Sequence, residues 1–191
     1  KRAVGTVKPM LCETADAAFS SDDWVYELKY DGFRLMAYGG AGRATLRYRS
    51  GLDSTERFPE VASAIRALPI ADLVLDGEII VQGAGGTPDF HKLAARAQIT
   101  RASEIQRAAL TTPVTYVVFD LIAAGGHDLR ALPLLERKAV LAAILPKVGP
   151  LKYSDHIAGK GESLLEAVVA RGLEGVVAKK ADSPYRGARS T

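Results

Sequence analysis

In the stretch Glu27-Leu28-Lys29-Tyr30-Asp31-Gly32-Phe33-Arg34 an apolar run closes on a lysine, and an aspartate–glycine pair follows two residues later. Residues 24–29 are rich in aromatic and branched side chains and predict a β-strand. Asp31-Gly32 predicts a tight hairpin turn into a second strand at 33–38. In such a strand Glu27 and Lys29 share one face and Leu28 points to the other. A lysine held at a strand end is a positioned amine. It attacks phosphorus only when neutral, and burial or nearby positive charge raises that fraction. Arg34, just past the turn, would bring positive charge beside a phosphate. Taken alone, the octapeptide is better read as a surface hairpin with a solvated lysine and arginine.

Further strand-like runs occupy residues 44–48, 73–81, 114–122 and 175–179, each bounded by turn formers. Helical stretches alternate with them. Ser103 with Gln106, and Ser163 with Glu166, have capping-box spacing. Pro133 suits a first helical turn, with Leu134, Leu141 and Leu145 as one apolar stripe. Gly172 reads as a helix stop, and His91 lies at a helix start. Gly83, Gly85 and Gly86 read as a loop, because no helix follows at phosphate-loop spacing. Hairpins mixed with helices predict an α+β fold with mostly antiparallel sheets.

The 191 residues are 48% hydrophobic, enough for a substantial core, and the net charge of +3 permits a polyanionic partner without demanding one. The single cysteine, Cys12, excludes an internal disulfide and predicts a cytosolic chain. It reads as a small core residue. No apolar run reaches membrane-spanning length. His91, His127 and His156 lack partners at ligand spacing, and the last two are expected in loops. Arg96, Arg101 and Arg107 are expected on one solvated face. The chain opens at Lys1 without methionine and stops in the basic stretch 183–191, so both ends look like cuts in a longer protein.

Three other segments carry chemistry. In Leu75-Asp76-Gly77-Glu78-Ile79-Ile80 two carboxylates share a face of an otherwise apolar strand, and such a pair wants a cation. Tyr116-Val117-Val118-Phe119-Asp120-Leu121 reads as a core strand, and periodicity alone makes Phe119 core. Leu173-Glu174-Gly175-Val176-Val177-Ala178-Lys179 repeats the order acid, glycine, apolar strand, base.

In this order the segments resemble the signature motifs of the covalent nucleotidyltransferases: ATP-dependent DNA ligases, RNA ligases and mRNA capping enzymes. The first motif, Lys-x-Asp-Gly-x-Arg, is matched at Lys29, Asp31, Gly32 and Arg34. Four fixed positions arise by chance in roughly one chain per thousand of this length. Arg49-Ser50-Gly51 resembles the arginine segment that follows. Glu174 to Lys179, with Asp182 to Arg186, is especially similar to the bacterial ligase D group, the ligases of double-strand-break end joining.

The resemblance implies an ATP-grasp-like adenylation domain spanning 1–191, cut from a larger chain and lacking the oligonucleotide-binding barrel that follows it. It implies that Lys29 attacks the α-phosphate of ATP and becomes lysyl-AMP. AMP then passes to the 5′-phosphate of nicked double-stranded DNA, and the 3′-hydroxyl seals the strand. By the same resemblance Glu27, Leu28, Arg34, Arg49, Phe119 and Lys179 bind nucleotide. Glu27 would accept from the adenine amino group, and Phe119 would stack on the purine. Lys179 would approach the α-phosphate, and Glu78 and Glu174 would hold Mg2+ or Mn2+. Asp31 fits the motif and is read as fixing the turn. The family's fifth motif, Lys-x-Lys, is absent, so nick sealing by these residues alone is expected to be weak. The expected protein is a monomer of the bacterial cytoplasm, associated with the nucleoid. An RNA ligase, a capping guanylyltransferase, or a nucleic-acid-binding module with a silent nucleotide site are the alternatives.

Overall fold

A computed structural model describes residues 5–187. Lys1 and the final part of the basic stretch, with Arg189 and Ser190, lie outside them. The elements are β1 (Trp24–Lys29), β2 (Phe33–Gly40), β3 (Arg43–Tyr48), α1 (Pro59–Ala67), β4 (Leu73–Val81), α2 (Phe90–Gln98), α3 (Ala102–Thr111) and β5 (Val114–Ala124). They continue with β6 (His127–Asp128), α4 (Leu134–Ile144), β7 (Leu151–Tyr153), β8 (His156–Ala158), α5 (Gly161–Ala170) and β9 (Gly175–Lys180). The strands form two sheets, one in the order β8-β1-β9 and one in the order β3-β2-β4-β5-β6, with β7 added to β5. All pairings are antiparallel except β5 with β7. The fold is therefore α+β, as expected.

The large sheet alternates as a half-buried sheet must. Leu35 and Ala37 of β2, Leu75 and Ile79 of β4, and Tyr116 and Val118 of β5 pack against Val61 and Ile65 of α1, Leu93 of α2 and Leu141 of α4. The opposite face carries Met36, Val74, Ile122 and Ala123, covered by Val7 and Tyr185 from the two chain ends. In the β2–β4 register Arg34 sits opposite Glu78 and Met36 opposite Asp76. These residues alternate with Leu35, Leu75 and Ile79, so the polar row lies on the face away from the main core.

The expected hairpin across Asp31-Gly32 does not form. β1 lies in the small sheet and β2 in the large one, so the turn carries the chain between sheets. Gly32 is required by close approach: a Cβ there would lie 2.2 Å from the Ile79 carbonyl oxygen. Gly77 is a second such point, with a Cβ meeting the Val117 oxygen at 2.4 Å and the Tyr116 ring at 2.7 Å. Tyr116 in turn spans the sheet, its hydroxyl 2.9 Å from the Leu35 oxygen and 3.1 Å from that of Leu75.

Neither capping box forms. α3 starts at Ala102 after Arg101, and α5 starts at Gly161 after Lys160, so Ser103 and Ser163 lie inside the first turns. In α5, packing sets the start: a Cβ on Gly161 would overlap the Phe19 oxygen and the Tyr26 ring. A helix starts at Phe90, next to His91 as expected, whereas Pro133 sits one residue before α4 rather than in its first turn. Asp89 caps α2 by accepting from the Lys92 amide at 2.9 Å. Leu134, Leu141 and Leu145 are buried along α4, and Gly172 follows α5 with φ +65°. Gly83, Gly85 and Gly86 form a loop with one 3-10 turn.

Four local expectations fail. Cys12 is exposed, because its segment runs over the surface. Arg96 is 2% exposed, on the inward face of α2 over the Phe58 ring and 3.4 Å from Glu60, whereas Arg101 and Arg107 are exposed. His127 and His156 lie in the short strands β6 and β8 rather than in loops, where cross-strand pairing orders segments too brief to show periodicity. No helix among the described residues is long and apolar enough to cross a membrane.

Candidate active site

Lys29 ends β1 opposite Gly175 of β9, and this register brings its ammonium onto the carboxylate of Glu174, one residue before β9. Both side chains are partly open to solvent. The amine is also near enough to Glu78 of β4 to influence its ionisation. The turn at Asp31-Gly32 thus brings groups from both sheets around one amine.

Glu78 has its pKa pushed up to about 7, chiefly by burial, with Asp76 adding to the rise while Arg34 and Lys29 oppose it. Asp76 is fully buried. It takes the Arg34 guanidinium in a two-pronged pair, Nε to Oδ1 at 2.9 Å and Nη2 to Oδ2 at 2.7 Å. Burial works against the Arg34 charge, and Asp76 more than offsets that, holding it cationic. The Tyr185 hydroxyl donates to Asp76 Oδ2 at 2.7 Å and accepts from the Met10 amide at 3.0 Å. Arg34 is therefore braced from behind by residues near both chain ends.

Phe119 lies at a β-bulge. The β4–β5 register passes from Asp76 opposite Asp120 to Gly77 opposite Val118, leaving Phe119 as the extra residue. Alternating with Tyr116 and Val118, the ring stands half-buried on the face away from the main core, and the bulge sets Asp120 beside it rather than across the sheet. The Arg34 guanidinium lies 5.1 Å and the Lys179 ammonium 4.4 Å from the ring centre.

Glu27 is buried at 2% exposure. Its Oε1 receives the Lys138 ammonium at 2.8 Å and lies 3.0 Å from that of Lys179, and its Oε2 accepts from the Ser154 hydroxyl at 2.8 Å. Burial raises its pKa, but Lys179 and Lys138 together outweigh that and hold it below the ordinary glutamate value. The site thus unites Lys29, Glu174 and Glu78 around the amine, and Arg34, Phe119, Lys179 and Glu27 beside it. Two expected residues stand apart. The Leu28 side chain faces the other side of the small sheet, lining a hollow of about 290 Å3 with Tyr26, Leu164 and Val168. The Arg49 side chain is exposed, although its amide donates to the Arg34 carbonyl at 3.2 Å.

Glu78 and Glu174 offer hard oxygen donors that suit a divalent cation. No cluster of three or more metal-ligating side chains occurs among the described residues. Magnesium is commonly held by one or two carboxylates and completed by substrate phosphates and water.

Lys138, Ser154, Asp120 and Arg137 join the site although sequence reasoning assigned them nothing. Arg137 pairs with Asp120 through two bonds of 2.7 and 2.9 Å beside the Phe119 bulge, and donates to the Ser183 carbonyl at 2.9 Å. A signal existed: Leu134, Arg137, Lys138 and Leu141 follow i, i+3, i+4, i+7 spacing and are all buried. Charges on an apolar stripe require buried partners.

The profile of the ATP dependent DNA ligase domain matches residues 9–191. The chain is 39% identical over 170 residues to the multifunctional non-homologous end joining protein LigD of Pseudomonas aeruginosa, covering 88% of this chain and 19% of that protein. It is 38% identical over 191 residues to a probable DNA ligase of Anaeromyxobacter dehalogenans, covering 96% of this chain and 37% of the relative. The chain thus spans well under half the length of these curated relatives. A solved mycobacterial DNA ligase D complexed with ATP and MES superposes with a TM-score of 0.77 at 30% identity, covering 96% of this chain and 57% of the other. With a match that runs from Pro9 to the last residue, this chain belongs to the ATP-dependent DNA ligase domain family.

Proposed function

We propose that this domain performs the adenylation chemistry of an ATP-dependent DNA ligase, with Lys29 as nucleophile. The observation that carries the reading is the Lys29 ammonium in contact with Glu174, within the field of Glu78 and beside the row Arg34, Phe119 and Lys179. The adenine ring stacks on Phe119, and Glu27 accepts from its amino group. Leu28 belongs to the same nucleotide-binding strand. Arg34 and Lys179 take the sugar–phosphate end, and the exposed Arg49 side chain turns in to it from its place beside the Arg34 backbone.

Before attack, Lys29 gives up a proton to the solvent that reaches its half-exposed amine, while the Glu174 carboxylate touching Nζ orients it. The Nζ–P bond forms as the bond from the α-phosphorus to the bridging oxygen breaks, and pyrophosphate leaves. Arg34 and Lys179 offset the charge gathering on the phosphate oxygens. Glu78 and Glu174 would hold Mg2+ or Mn2+, which when bound neutralises further phosphate charge. A DNA 5′-phosphate oxygen then displaces Lys29 from the α-phosphorus, and the 3′-hydroxyl displaces AMP to close the nick.

The similarity to LigD supports a role in end joining within bacterial cells, on nucleoid DNA. In this reading the domain acts as a monomer on nicked double-stranded DNA, together with an oligonucleotide-binding barrel. Incubation with α-labelled ATP or GTP and magnesium, followed by a denaturing gel, tests the reading. Label from ATP is expected on the chain and none on Lys29→Ala. Preference for GTP, or label retained by Lys29→Ala, overturns it.

A further inference from the structure

Glu27 and its two lysines pose a problem of charge. Lys179 lies 3.0 Å from Glu27 Oε1 and 4.4 Å from the centre of the Phe119 ring. If it turns to a phosphate it leaves a carboxylate of 2% exposure behind. A buried charge that loses its only partner is strongly destabilised, so Lys179 could not move unless another cation stayed.

Lys138 meets that requirement. It comes from α4, is 1% exposed, and its Nζ donates to Glu27 Oε1 at 2.8 Å and to the Ser154 carbonyl at 2.9 Å. The ammonium also lies 4.6 Å from the centre of the Tyr153 ring. Ser154 holds the other carboxylate oxygen through its hydroxyl. Lys179 has a looser setting: its side chain is 20% exposed, on a strand at the edge of the small sheet. One cation is locked to the carboxylate, and the other is shared between the carboxylate and the stacking ring.

We infer that Lys138 is the resident counter-ion of Glu27, and that it frees Lys179 to pass from Glu27 to the phosphates of an incoming nucleotide. Lys138 is thus a positioning residue, acting through Glu27 on Lys179. The inference rests on the proposed nucleotide site.

The test compares adenosine with the α,β-methylene analogue of ATP, which binds without chemistry, by calorimetry on the 191-residue chain. Only the analogue draws Lys179 away from Glu27. In Lys138→Met, Lys179 becomes the sole cation on Glu27, and the preference for the analogue over adenosine should shrink about tenfold. In Glu27→Gln, Lys179 has no carboxylate to leave, and the preference should widen severalfold whatever happens to adenosine affinity. Equal loss of both ligands in Lys138→Met, the mark of a merely structural role, overturns the inference, as does no change in either. If circular dichroism shows Lys138→Met unfolded, Glu27→Gln decides: a preference that stays constant or narrows overturns it. Failure of the unaltered chain to bind either ligand sinks the nucleotide-site reading itself.

Discussion

Replacing Glu78 by glutamine removes a half-buried carboxylate at nearly constant volume. In the folded chain this carboxyl titrates at about 7 instead of 4.5, mainly because β4 withdraws it from water. That difference corresponds to about 3 kcal/mol against ionisation. Glu78 is half-buried, so solvent screening reduces the figure to about 1–2 kcal/mol. Between pH 4.5 and about 7 the folded state binds more protons than the unfolded state, so the chain loses stability as pH rises through this window. Above it the full penalty remains. Glutamine carries none. Urea unfolding followed by Trp24 fluorescence should give equal stabilities near pH 4.5, and Glu78→Gln more stable by about 1–2 kcal/mol at about pH 8. A stability difference independent of pH would refute the raised carboxyl. The same substitution should suppress adenylation, since an amide is a poor ligand for a metal–phosphate complex.

Phe119→Ala should weaken binding of the methylene analogue by about 1–3 kcal/mol, read by calorimetry, with little loss of stability because the ring sits in a bulge outside the core. Arg137→Met leaves Asp120 charged and buried, and urea unfolding should show a loss of about 3–5 kcal/mol, most of it recovered when Asp120→Leu is added.

Much of this architecture was legible because it depends on local pattern. β1, β2, β4 and β5 announce themselves through branched and aromatic residues, and the Lys29 and Glu174 motifs lie at strand boundaries. What was illegible is non-local. Asp31-Gly32 signals a turn but not the partner of the strand it follows, and β1 pairs with β8 and β9, more than a hundred residues away. β7 and β8, of three residues each, are too short for periodicity to register. Phe119 keeps the alternation set by Tyr116 and Val118, but the extra residue it makes in β5 shifts the phase of Asp120 and Leu121, which no local pattern announces. Arg96, Arg137 and Lys138 are long cations that sequence habit assigns to solvent. Each is buried with an acid from another element: Glu60, Asp120 or Glu27. Asp76 was correctly expected to need a cation, but the cation is the guanidinium of Arg34 on the neighbouring strand.

The central claim is a covalent bond to one nitrogen, and mass spectrometry of the intact chain after incubation with ATP and magnesium addresses it directly. The account predicts a gain of one adenylyl group, carried after digestion by the peptide containing Lys29 and absent from Lys29→Ala. An adenylyl group found on any other residue, or undiminished in Lys29→Ala, would contradict it.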